Sequence, residues 1–322
     1  EAVRWYKRGA EVEDGFAMSQ LGMCFESGAG GLVQSDAEAL TWYRRGTLAG
    51  DPSAAWNLGT MYEFGKAGLT ANNTEAARWY KKAAEGGSTK GMTYLGTLTA
   101  NGSGVPKDEA EAVRLFKAAA DAGDDWGMVR LGLMYQAGYE GHPKDEPEAI
   151  NWYRKAAAAG NGRAMKCLGV MYQVGAGGLA RDEAEAVKWY RKGAEAGDAA
   201  SMWSLGTAYE FGLGDMAPED AEAFKWYLKA SQAGYAKAMA YVSVMYANGK
   251  GTEKDETAAL RWRQQGAAQG DGRSMTYLGI MYERGSKVLP KNMDEAIKWY
   301  RKGADAGDGL AMSCLGVLYE TG

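Results

Sequence analysis

The stretch Asp182 to Gly212, DEAEAVKWYRKGAEAGDAASMWSLGTAYEFG, holds two apolar stripes separated by a single glycine. In its first half Ala186, Val187, Trp189, Tyr190 and Ala194 recur at the spacing of one helix face. Asp182 stands just ahead of that stripe as an N-cap, because its side-chain oxygen accepts a free helix N–H. Gly197 ends the helix, since glycine takes the left-handed C′ conformation at no steric cost. Asp198 follows at once as the next N-cap, and Met202, Leu205, Gly206 and Tyr209 mark a second helix that stops at Gly212.

The pattern then runs the length of the chain. Trp189 has counterparts at Trp5, Trp42, Trp79, Trp152, Trp226, Trp262 and Trp299, with Leu115 in the one gap, at steps of 37 residues except for two of 36. Sixteen residues after each anchor comes Leu-Gly, from Leu21-Gly22 to Leu315-Gly316, broken only by Val242-Ser243. Ser35, Asn72, Asp108, Asp145, Asp255 and Asn292 share the column of Asp182, and Asp14, Asp51, Ser88, Asp124, Asn161, Asp271 and Asp308 that of Asp198, where Tyr235 is the exception. In the glycine column of Gly197 only Glu13 departs. Nine modules of 36–37 residues fill all 322 residues, which is the signature of a repeat array in one elongated domain, 1–322. The anchor tryptophans are expected to be largely buried. A mid-helix glycine costs about 1 kcal/mol relative to alanine, so its recurrence after each leucine predicts close helix approach, with the facing Trp and Tyr against the backbone.

A second period overlies the first. A shift of 147 residues sets Trp56 on Trp203, Glu63-Phe64-Gly65 on Glu210-Phe211-Gly212, and Cys167 on Cys314. Four modules have been duplicated, giving blocks 1–147 and 148–294 and the start of a third, 295–322. Similar faces are expected to recur along the array.

Composition narrows the function. With 37 Lys and Arg against 41 Asp and Glu, a net charge of −4, there is no basic face for nucleic acid. No run reaches the roughly 18 apolar residues of a membrane span, so membrane insertion is not expected. Cys24, Cys167 and Cys314 lie too many modules apart for an internal disulfide, which favours a reducing cytoplasm and is compatible with a periplasmic or extracellular protein. One histidine, His142, cannot supply a His-based triad or a multi-histidine metal site, and the cysteines lack zinc spacing. The glycine-rich strings precede no Lys-Ser or Lys-Thr. No enzyme activity, cofactor or metal is expected.

The pattern Ala-x-x-Trp-Tyr, as in Ala186 to Tyr190, followed by Met-x-x-Leu-Gly-x-Met-Tyr-x-x-Gly, as in Met165 to Gly175, resembles the Sel-one-like repeat family, related to the tetratricopeptide repeats. The resemblance covers the whole chain. It implies an all-α fold, a right-handed α/α superhelical solenoid of nine helix-turn-helix repeats, and the work of an adaptor or scaffold. The two cysteines per module of the family's cysteine-rich branch are lacking. The resemblance also implies that the Leu-Gly helix lines a concave face. The variable positions there, Phe16, Trp126 and Arg163 near the helix start, Trp56 and Trp203 a turn later, and Glu63, Phe64, Glu210 and Phe211 near its end, are then the reading surface for a protein or peptide partner. The alternative is a structural subunit that associates end to end. Val3, Trp5 and Tyr6 at one end and Leu315, Leu318 and Tyr319 at the other are expected to form its apolar end faces.

Overall fold

The computed structural model describes residues 1–321, which form 18 α-helices, one 3-10 turn at Ala29–Gly31 and a single isolated bridge between Tyr139 and His142. The chain makes two compact units, Glu1–Gly160 and Asn161–Gly322. The first holds α1 (Ala2–Glu11), α2 (Gly15–Ser27), α3 (Asp36–Leu48), α4 (Pro52–Phe64), α5 (Asn73–Glu85), α6 (Thr89–Asn101), α7 (Glu109–Asp121), α8 (Asp125–Ala137) and α9 (Glu146–Ala158). The second holds α10 (Gly162–Val174), α11 (Glu183–Glu195), α12 (Ala199–Phe211), α13 (Asp220–Gln232), α14 (Ala236–Asn248), α15 (Glu256–Ala268), α16 (Gly272–Arg284), α17 (Met293–Asp305) and α18 (Gly309–Thr321). In each unit a helix packs on the one before and the one after it, and second helices also touch one another, α2, α4, α6 and α8 in the first unit, α10 with α12 and α14, α16 and α18 in turn in the second.

The helices begin and end where the polar columns place them. Seven first-helix caps, from Ser35 to Asn292, accept a backbone N–H at 2.8–3.2 Å. Eight second-helix caps, from Asp14 to Asp308, do so at 2.6–3.3 Å. Glu219 and Tyr235 supply no side-chain cap. Between paired helices the chain turns through positive φ, 88° at Gly197, and Glu13 adopts the same region at 61°. The conformation therefore survives where the glycine does not.

The anchor residues differ from expectation. Of the tryptophans only Trp152 is buried, Trp5 is 59% exposed and the other six are half-buried. Their rings carry the cation three residues on. Arg8, Arg45, Lys82, Lys155, Lys192, Lys229 and Lys302 lie 3.8–5.6 Å from the ring centroids, so at seven of the eight tryptophans an exposed cation sits over the indole. The fully buried aromatic is the next residue. Tyr43, Tyr80, Tyr153, Tyr190, Tyr227 and Tyr300, and Phe116 in the Leu115 module, are at most 2% exposed. Each lies on the Leu-Gly glycine of the module before it: a Cβ on Gly22, Gly59, Gly96, Gly132, Gly169, Gly206 or Gly279 would come within 2.8 Å of that ring.

Each buried tyrosine hydroxyl then donates to a side chain 17 residues earlier. The acceptors are Glu26, Glu63, Gln136, Gln173, Glu210 and Glu283, at 2.5–2.8 Å. Where the acceptor column holds alanine, the donor is missing too: in the two shorter modules Ala100 stands 16 residues before Phe116, and Ala247 stands 16 before Arg263. At that second site the glycine has become Ser243, fully buried, and Arg263 Nε donates to its Oγ at 3.4 Å. The Arg263 guanidinium lies 5.5 Å from the Tyr277 ring centroid, and burial pulls its pKa down. The break at Val242-Ser243 is thus one half of a paired exchange.

Candidate functional site

In the first unit the row of second helices opens into a hollow of about 530 Å³ bounded by α4, α6 and α8. Trp56 forms one wall, with the Lys90 ammonium 4.5 Å from its ring centroid and Tyr94 edge-on at 5.8 Å. Tyr94 leans in turn on the buried Tyr80 at 5.2 Å. Glu63 borders the hollow and accepts the Tyr80 hydroxyl at 2.5 Å. Burial and then the Glu63 charge raise the Tyr94 pKa. Asp124 caps α8 and accepts from Thr93 Oγ1 at 3.2 Å. Phe64 and Trp126 stand at the rim, 62% and 52% exposed.

The second unit repeats this on α12, α14 and α16, in a hollow of about 620 Å³. Trp56, Glu63, Lys90, Tyr94 and Asp124 become Trp203, Glu210, Lys237, Tyr241 and Asp271, each 147 residues on. Tyr241 meets Trp203 edge-on at 6.2 Å and Tyr227 at 5.4 Å. Glu210 accepts the Tyr227 hydroxyl and also pairs with Lys250 at 2.8 Å, and the hydrogen bond to Glu210 is the main reason the Lys250 pKa is raised. The rim differs: Trp126 and Arg130 give way to Arg273 and Tyr277, and Arg273 is held by Asp308 at 2.9 Å.

Of the residues chosen from the sequence, Trp56, Glu63, Phe64 and Trp126 meet at the first hollow and Trp203 and Glu210 at the second. Phe16 and Phe211 are exposed but line neither, and Arg163 lines neither as well. Trp56 and Trp203 serve two purposes. Each packs on the buried cluster of the following module with its indole N–H buried and unpartnered, and each also forms a hollow wall. Sequence reasoning missed Lys90, Lys237, Tyr94 and Tyr241, although the lysines share the column of Phe16, Trp126 and Arg163, and all four align under the 147-residue shift.

One end-face assignment is corrected. Val3 is buried in the first module's own cluster with Ala10, Met18 and Leu21, because Gly30 of the 3-10 turn folds against its Cγ2, so it presents no face to a partner. Tyr6 is half-buried beside it. At the other end Leu315 and Leu318 are half-buried, and Tyr319 is 66% exposed with its hydroxyl accepting from Arg301 at 2.7 Å. The three cysteines are free thiols. Among the described residues no helix is long and apolar enough to cross a membrane, and no group of three or more His, Cys, Asp and Glu could hold a metal ion.

The Sel1 repeat model matches nine times, over residues 1–13, 15–51, 52–88, 89–124, 127–161, 163–198, 199–235, 236–271 and 272–308. Among solved structures, a protective antigen of uropathogenic Escherichia coli with an SLR fold is 32% identical, with a TM-score of 0.58 over 99% of this chain and 67% of that one. A Sel1 repeat protein from Oxalobacter formigenes is also 32% identical, with a TM-score of 0.66 over 78% of this chain and 99% of that one. An immunity protein from Pseudomonas aeruginosa, 21% identical with a TM-score of 0.51 over 67% of this chain and 81% of that one, shares the fold. The comparison with curated proteins gives no match.

Proposed function

Because this chain belongs to the Sel1 repeat family, we propose that it is a non-enzymatic scaffold that holds protein or peptide partners on its row of second helices. Proteins of the family are generally protein-interaction scaffolds. The observation that carries the reading is the recurrence of one hollow in each unit, with Trp, Glu, Lys, Tyr and Asp at the same five places. Half-buried aromatic walls with exposed aromatic rims suit partner side chains, since tryptophan and tyrosine are enriched where binding energy concentrates. A photo-crosslinking side chain placed at Phe64 or Trp126 is expected to capture protein or peptide, whereas the same group at exposed Arg78, on a first helix, is not. Adducts from position 78 alone, with none from 64 or 126, would refute the assignment.

A further inference from the structure

Of the six hydroxyl acceptors, four follow a rule that Glu63 breaks, and Glu283, which also forms no ion pair among the described residues, has no residue 40 places on in the sequence to compare. Glu26 and Glu210 each take a lysine 40 residues on, Lys66 at 2.6 Å and Lys250 at 2.8 Å. Where the acceptor is the neutral Gln136 or Gln173, the same place holds Ala176 or Leu213. A charged acceptor thus comes with a cation and an uncharged one without. Glu63 has the charge, yet the place 40 residues on is Ser103. The backbone there does not differ: the N–H of Ser103 donates to the Leu98 carbonyl at 2.9 Å, as those of Lys66 and Lys250 do to Met61 and Met245 at 3.0 Å. Glu63 is half-buried, its hydrogen bond is to Tyr80, and it forms no ion pair among the described residues. Lys90 and Arg130 border the same hollow, Lys90 with its ammonium over the Trp56 ring.

We propose that the first-unit hollow takes a cationic side chain of the partner, an arginine in an extended peptide, whose guanidinium occupies the place on Glu63 that Lys250 fills on Glu210. The chemistry agrees on both sides. A half-buried carboxylate without an ion pair gains from an arriving cation, and a planar guanidinium stacks on an exposed aromatic face such as that of Trp126, which an ammonium does less well. The second hollow carries its own cation and does not take this group. The inference rests on the scaffold reading and adds the identity of the anchoring side chain.

The test is calorimetric titration with a capped Ala-Phe-Arg-Phe-Ala peptide and its citrulline counterpart, which keeps the shape and loses the charge. The wild-type chain is expected to bind one equivalent of the arginine peptide and the citrulline peptide at least tenfold more weakly. Glu63→Gln keeps the tyrosine bond, as Gln136 and Gln173 do, and is expected to weaken arginine binding at least tenfold. Ser103→Lys supplies the missing cation in cis and is expected to do the same, while Lys250→Ser uncovers Glu210 and adds a second equivalent. Equal affinity for the two peptides, no binding of either, unchanged affinity in Glu63→Gln and Ser103→Lys, or a single equivalent in Lys250→Ser each overturns the proposal. Failure of the scaffold reading is seen separately, as the absence of crosslinks from positions 64 and 126.

Discussion

Replacing Gly59 by alanine separates helix propensity from packing. In an isolated helix the change stabilises by about 1 kcal/mol. Here the new Cβ would lie 2.5 Å from Tyr80 Cε1 and 2.6 Å from Cδ1, against a ring that is fully buried. The ring has little room to retreat, because its hydroxyl is held by Glu63 and Tyr94 leans on it at 5.2 Å. Overpacking of this kind costs about 1–3 kcal/mol, and moving the ring far enough to relieve it gives up a hydrogen bond to a charged acceptor, about 1.5–3 kcal/mol. Packing outweighs propensity, and a net loss of about 1–3 kcal/mol is expected. The control is Gly59→Ala made in a Tyr80→Ala background, where the ring atoms nearest the new Cβ are gone and the change is expected to stabilise relative to Tyr80→Ala by up to about 1 kcal/mol. Urea unfolding of both variants, with hydrogen exchange to locate the loss, decides the matter. If Gly59→Ala is neutral or stabilising, or if the two variants shift stability the same way, the ring-on-glycine account is wrong.

Two further outcomes follow from the same contacts. Burial raises the pKa values of Tyr43, Tyr80, Tyr190, Tyr227 and Tyr300, so above about pH 10 the unfolded chain releases protons that the folded chain keeps; stability is full below that pH and falls as pH rises, by up to about 1.4 kcal/mol per pH unit per tyrosine, and a Tyr80→Phe variant should show a shallower alkaline slope in denaturant titrations. Arg263→Tyr alone would set a ring on the Ser243 side chain with no acceptor at Ala247 and is expected to lose about 1–3 kcal/mol, while the triple change with Ser243→Gly and Ala247→Glu restores the common arrangement and recovers the midpoint of thermal unfolding; a triple variant no better than the single one contradicts the paired-exchange reading.

The fold was legible because each of its local decisions is made by one residue in one column. A cap oxygen, a C′ glycine and an apolar stripe act within a single helix, so Asp182, Gly197 and Leu205 announce themselves without knowledge of any neighbour. Which aromatic is buried was not legible in this way. Trp189 and Tyr190 recur together, and only the cation seated on Trp189 and the glycine beneath Tyr190 distinguish them. Both contacts require knowing which face turns toward the preceding module. The site was legible in part for a related reason. Trp56 and Trp203 stood out as rare residues outside the anchor column, whereas Lys90, Tyr94, Lys237 and Tyr241 are common types whose meaning comes from sharing a hollow with them.

What links fold and site is a unit of positions spread over three modules: an acceptor, the tyrosine 17 residues later, and the place 40 residues later. Tyr43, Tyr227 and their glutamates show the unit complete, with Lys66 and Lys250 closing it. Phe116 and Arg263 show that when the acceptor becomes alanine the tyrosine goes as well. The glutamines show that removing the charge removes the need for the lysine. Exchanges that follow each other across modules keep each buried tyrosine hydroxyl matched to an acceptor, which packing alone does not demand. Glu63 is where the hydroxyl bond is kept and the counter-charge is not, and it borders the hollow that has the exposed aromatic rim. On the proposed reading, a structural unit with a charge left open toward a binding-sized hollow would make a uniform array specific at one place while its remaining modules hold the shape.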